Sequence, residues 1–175
     1  MQAIASDRLR GWGPTILRVV VGLIFLAHGT QKLLGQGFGG VGDMMEGIGV
    51  PAPAVAAVAL VLVELVGGAA LVLGLFTRLL AVPLAFSMLV ATVTVHLPNG
   101  FFSSGGGVEF TLLLTVACVA LALTGSGEAS LDRFLARRGI PLMGEEGRAE
   151  TPARGTMTGG DHARVPHRVG SRDEW

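Results

Sequence analysis

Residues 54–97 read AVAAVALVLVELVGGAALVLGLFTRLLAVPLAFSMLVATVTVHL, and their only ionisable side chains are Glu64, Arg78 and His96. The stretch is apolar on every face, without the alternation in polarity that a membrane barrel strand requires. Gly74 and Arg78 bracket its one break. Each half is near the roughly 20 residues that carry a helix across a hydrocarbon core of ~30 Å. Two membrane-crossing helices joined by a tight turn are the expected structure.

The same reading extends in both directions. A first span is expected at 15–34, with Pro14 suited to its first turn. The pair above gives spans at 54–75, after Pro51 and Pro53, and at 79–97, before Pro98. A fourth, shorter span is expected at 108–124, ending at Gly125-Ser126-Gly127. The predicted fold is an all-α membrane protein, a four-transmembrane-helix bundle. Composition agrees: half of the 175 residues are hydrophobic, 15% are charged and the mean hydropathy is +0.61, values that belong to the membrane class. Arg8 and Arg10 ahead of an apolar run imitate a signal peptide. The run is too long and ends in His28, Gln31 and Lys32 rather than a small-residue cleavage site, so it reads as a retained helix.

Net charge is zero, which offers no field for nucleic acid, but its distribution is uneven. Arg8, Arg10 and Arg18 stand at the start of the first span, Arg78 lies in the turn after the second, and eight arginines follow from Arg133 onward. By the positive-inside rule all these sites face the cytoplasm, giving an N-in/C-in topology. The opposite side receives Lys32, Asp43 and Glu46. Residues 1–14 are expected to be a cytoplasmic segment. Residues 128–138 are expected to hold an amphipathic juxtamembrane helix, capped by Ser130, with Leu131, Phe134 and Leu135 on one face and Arg133, Arg137 and Arg138 toward anionic lipid heads. Residues 139–175 lack the apolar content to offset ordering entropy and are predicted to be a disordered cytoplasmic tail, its His162 and His167 without a role.

Gly35–Pro53 spells G-x-G-x-x-G twice. That motif binds dinucleotides only between a strand and a helix; after a membrane helix it reads as a flexible outer loop, with a short interfacial helix at Asp43–Ile48. Spacings of small residues (Ala70 and Gly74, Ala81 and Ala85) and the pair Gly67-Gly68 predict close helix contacts. Pro83 is expected to kink the third span or mark its first turns. The single cysteine, Cys118, excludes an intramolecular disulfide and a CxxC redox motif.

The informative residues are the ionisable ones at membrane depth, where a charge costs about 2.5–3.5 kcal/mol on insertion scales and needs a partner. Glu64 is near the middle of the second span and requires a cation or a proton. His28 and Lys32 lie one turn apart on the first span, His96 ends the third with Thr92 one turn below, and Glu109 opens the fourth. The assigned topology brings His28, Lys32, Glu64, His96 and Glu109 to the outward half of the bundle. They form the candidate catalytic cluster. The plain alternatives are a structural Glu64 pair with Lys32 or His28, and interfacial solvation of His96 and Glu109. No metal site is expected. A bis-histidine haem between His28 and His96 fits the helix count but has no further motif behind it.

An ordered series of motifs carries a family resemblance: Arg18-x3-Gly22, His28-Gly29-x2-Lys32-Leu33, Gly49-x-Pro51, Glu64-x2-Gly67-Gly68, Leu73-Gly74-Leu75-x-Thr77-Arg78, Gly107-x-Glu109, and Gly125-x-Gly127-x2-Ser130-Leu131-Asp132. Over roughly Arg18–Arg138 the chain resembles the DoxX family of small four-helix bacterial membrane proteins. The resemblance implies a multi-pass protein of the bacterial plasma membrane. It also implies a link to quinone-dependent thiosulfate oxidation and to membrane-bound redox or oxidative-stress assemblies. His28, Lys32, Glu64, Arg78 and Glu109 match recurring positions, without assigned roles. The leading expectation is therefore a membrane subunit of a quinone-linked oxidoreductase, with quinone as the candidate cofactor. The expected partners are the lipid bilayer, soluble redox proteins and further copies in a homo-oligomer, and no nucleic acid. The competing readings are a non-catalytic scaffold that recruits soluble partners and a small-solute permease.

Overall fold

The computed structural model describes residues 2–138, with side chains from residue 11 onward; the tail expected to be disordered, with His162 and His167, lies outside these residues. Six α-helices and no strands occur among the described residues. Helix α1 runs Gln2–Gln31 and continues through a π turn, Lys32–Gln36, into α2, Gly37–Gly47. Helix α3 is Pro53–Leu73. Helix α4 is Thr77–Ala91, extended by a second π turn, Thr92–His96, and a 3₁₀ turn, Leu97–Asn99. Helix α5 is Glu109–Thr124, and the short α6 is Leu131–Arg137.

Three helical stretches, Gly11–Gly47, Pro53–Leu73 and Thr77–Asn99, are long and apolar enough to cross a membrane. Helix α5, at 16 residues, is about 24 Å long and packs along α4 as the fourth member. Large apolar side chains such as Val55, Leu62, Val66, Phe86, Leu113 and Val116 remain exposed around the bundle. Only a lipid solvent makes so much uncovered apolar surface acceptable.

Two expectations are corrected. Helix α1 begins at Gln2, so Pro14 lies inside it rather than in its first turn, and residues 2–14 are part of the helix. Pro14 removes one backbone donor. Nearby, the Gly11 carbonyl gains bonds from the Glu128 N–H (3.1 Å) and the Thr15 hydroxyl (3.3 Å), and Ala3, Ile4, Ala5 and Leu9 are adequate helix formers. The glycine-rich connection is the second correction. Residues 37–47 form one helix, longer than the short helix expected at Asp43–Ile48 and replacing the loop expected before it. Glycine costs about 1 kcal/mol per helical position. Burial of Val41 and Met45 against Ala57 and Val61 of α3 supplies the opposing term. Gly37, at φ +66°, turns the chain, and α2 folds back against α3.

The glycines expected to thin the third helix do so. A Cβ at Gly22 would sit 2.8 Å from the Gly68 carbonyl oxygen, and one at Gly68 would sit 2.9 Å from that of Gly22. Helices α1 and α3 therefore touch backbone to backbone, as small residues permit in membranes. Gly67 meets Leu84 of α4. The main core, Val21, Phe25, Leu71, Ala81, Leu84, Met88, Leu114, Cys118 and Leu121, fills the half of the bundle near the α3–α4 turn. Pro83 is accommodated within α4.

That end of the bundle is tied together by Arg18, which is 1% exposed. Its Nη1 donates to the carbonyls of Leu71 (2.5 Å) and Val72 (2.9 Å), and its Nη2 donates to that of Ala129. Arg18 was expected as an interfacial topogenic charge. Instead it satisfies carbonyls at the α3 C-terminus, where a cation also meets the negative end of the helix dipole. Helix α6 docks on the same end. Ser130 caps it by accepting from the Arg133 N–H at 3.3 Å, and Asp132 accepts from the Phe76 N–H at 3.2 Å.

Candidate functional site

A cavity of about 770 Å³ is lined mainly by α3 and α4. Phe25 of α1, Met44 and Met45 of α2 with Ile48 just after it, Phe86 of α4 and Phe110 of α5 contribute to its walls. The walls are almost wholly apolar. His28, Lys32, Glu64 and His96 are the ionisable residues that reach them.

Glu64 is fully buried, and the Lys32 Nζ stands 2.6 Å from each of its carboxylate oxygens. Both oxygens thus accept from one ammonium, which leaves one of its three hydrogens for another acceptor. Lys32 is the first residue of the π turn that ends α1, and His96 is the last residue of the π turn that ends the α4 helix. Single π turns inside helices occur often at functional sites because the extra residue redirects side chains. Helical periodicity carries no trace of them, so the sequence offered no signal for either.

His28 lies one turn before Lys32. Its ring stands 6.1 Å from that of Phe110, tilted by 55°. The His96 Nδ1 pairs with the Gly106 carbonyl at 2.6 Å. Thr92 turns its hydroxyl back to the Met88 carbonyl (2.7 Å) and is occupied within its own helix. Glu109 does not reach the cavity. Its carboxylate is exposed and accepts from the Ser103 N–H at 3.0 Å, closing the glycine-rich loop before α5. Four of the five candidate residues therefore surround one cavity, and the fifth holds a loop that contributes Ser103 and Gly106 to its rim. The side chains of α2 were not foreseen as part of the site: the short interfacial helix expected at Asp43–Ile48 already held Met44, Met45 and Ile48, but nothing in the sequence set it against α3. Among the described residues, no three His, Cys, Asp or Glu side chains meet in a way that would hold a metal ion.

Residues 13–97, which carry all four cavity-lining ionisable residues, match the family model described as DoxX. The chain belongs to the DoxX family. It is 37% identical over 123 residues to "Putative oxidoreductase CatD" of Bacillus subtilis, covering 70% of this DoxX chain and 87% of that protein. It is 36% identical over 132 residues to an uncharacterized membrane protein of Mycobacterium tuberculosis, covering 70% and 80% respectively. It is 35% identical over 125 residues to the Escherichia coli inner membrane protein YphA, covering 67% and 86%. No solved structure shows a significant match. The apolar helices and the inner-membrane names of relatives agree in placing this DoxX protein in a membrane.

Proposed function

We propose that this DoxX protein is a membrane subunit of an oxidoreductase system and that its α3–α4 cavity binds a quinone-class ligand. The observation that carries the reading is the Lys32–Glu64 pair set in an otherwise apolar cavity of about 770 Å³. Small-molecule sites commonly measure ~300–1,000 Å³ and combine apolar walls with a few fixed polar groups. A quinone ring, with an apolar body and two oxygens at opposite edges, suits such a lining; when bound it supplies two-electron, two-proton chemistry. Glu64 orients the Lys32 ammonium, whose remaining hydrogen is available to a ring oxygen. His28 and His96 add imidazole nitrogens to the lining as further hydrogen-bonding groups. Electrons would come from a soluble redox partner. The oxidoreductase name of the Bacillus relative supports this class.

The proposed setting is the bacterial plasma membrane, multi-pass, with both termini cytoplasmic. Exposed Arg78, Arg137 and Arg138 lie at the end of the α3–α4 turn and α6, and exposed Asp43 and Glu46 lie on α2 at the other end of α3, a charge asymmetry of the positive-inside kind.

Purification from native membranes into nanodiscs, followed by solvent extraction, tests the ligand. Near-stoichiometric quinone is expected with the wild-type chain. Ala91→Phe, which fills the cavity without touching the ion pair, is expected to reduce retention on the order of tenfold at unchanged melting temperature. Retention equal to that of an unrelated four-helix membrane protein would overturn the reading.

A further inference from the structure

The two imidazoles beside the cavity are not equivalent. His28 packs its ring against Phe110 and makes no hydrogen bond among the described residues, so its proton is free to occupy either nitrogen. His96 is fixed. A backbone carbonyl only accepts, so the 2.6 Å contact to the Gly106 oxygen requires a proton on Nδ1 of His96. In the neutral ring, Nε2 is then a bare acceptor. The bond spans from the π turn after α4 to the rim loop before α5, so two separate elements hold the ring. The remaining charged groups at the cavity cancel: Lys32 is spent on Glu64 with one hydrogen to spare. With Nδ1 committed to Gly106, the cavity offers one donor at Lys32 and, in the neutral ring, one fixed acceptor at His96 Nε2.

Resting on the quinone-class reading above, we infer that His96 is a specificity-determining residue that makes the cavity prefer the hydroxyl-bearing, reduced form of the ring over the oxidised form. A reduced ring donates one hydroxyl hydrogen to His96 Nε2 and accepts from Lys32 through its other oxygen. An oxidised ring has acceptors only. It satisfies Lys32 and sets the bare Nε2 against a carbonyl oxygen, two acceptors with no hydrogen between them, which is the kind of mismatch that hydrogen-bonding sites disfavour. Both forms of the ring are uncharged, so the discrimination is by hydrogen-bond polarity and not by electrostatic attraction.

The test compares binding of one short-tailed benzoquinone, oxidised and chemically reduced, to the full-length protein in nanodiscs. The wild-type chain is expected to bind the reduced form about tenfold more tightly. In His96→Phe the preference is expected to fall to near unity with affinity for the oxidised form kept. Thr94→Val, at a cavity-lining residue whose hydroxyl is committed to the Val90 carbonyl, is expected to leave the ratio intact. Imidazole nitrogen NMR of the wild-type chain provides a readout independent of whether His96→Phe folds: Nδ1 protonated, Nε2 bare, and the Nε2 signal moving when the reduced ring is added. Equal binding of both forms, or an Nε2-protonated His96, would overturn the inference while leaving the cavity a quinone site. Binding of neither form would overturn the quinone reading and this inference together.

Discussion

Lys32→Met is expected to lower the stability of the bundle by about 3–5 kcal/mol, because it leaves the fully buried Glu64 carboxylate without its cation. The Glu64 side chain has no exposed surface and that of Lys32 is 21% exposed, so the carboxylate is the member left without a partner. Lys32→Met combined with Glu64→Leu is expected to recover most of that loss, since no charge is then left alone. Thermal unfolding of the purified variants in one detergent measures both. Recovery of stability in the double variant would not bring back ligand binding, because the polar end of the cavity would be gone. A single Lys32→Met variant as stable as wild type would show that the ion pair contributes nothing to the fold.

Arg18→Met is expected to be as damaging, at about 3 kcal/mol or more, by a different route. Three carbonyls, those of Leu71, Val72 and Ala129, receive the guanidinium, and each buried acceptor left without a donor costs about 1–3 kcal/mol. Some of this is offset because an arginine no longer has to be desolvated. Arg18→Lys is expected to rescue only in part, since an ammonium cannot spread donors over two directions as the planar fork does. The readouts are the amount of folded protein extracted from membranes and its melting temperature. Retention of the wild-type melting point in Arg18→Met would remove Arg18 from its role in joining α1, α3 and the segment before α6.

The spans and the polar residues among them were legible because both follow from local chemistry. Apolar runs of membrane length leave few alternatives, and a carboxylate in the middle of one must find a partner. Lys32 is the partner Glu64 found. Ser130 as a cap and Gly67-Gly68 as a thin face were legible for similar reasons: each is a single residue type with a narrow range of uses. What stayed hidden depends on contacts between distant segments. Glycine-rich residues 37–42 read as a loop on propensity ahead of a short helix at Asp43–Ile48, yet α3 supplies an apolar face that makes 37–47 one helix and a wall of the cavity. Arg18 counts as one more positive charge until the α3 C-terminus is placed beside it. Glu109 has the right type and depth for the cluster, but its carboxylate is claimed by the backbone of Ser103, six residues earlier in the preceding loop. The π turns at Lys32 and His96 insert an extra residue per turn, which no periodicity in so uniformly apolar a chain reveals.

The central claim is that the cavity between α3 and α4 holds a quinone-class ligand at the Lys32–Glu64 pair. A photoreactive quinone analogue, cross-linked in native membranes and mapped by peptide mass spectrometry, tests it most directly. Adducts are expected on cavity-lining Met44, Met45 and Phe110, and an excess of unmodified quinone is expected to suppress them. Adducts spread over outward-facing Val55, Leu62, Leu113 and Val116, undiminished by competitor, would contradict it.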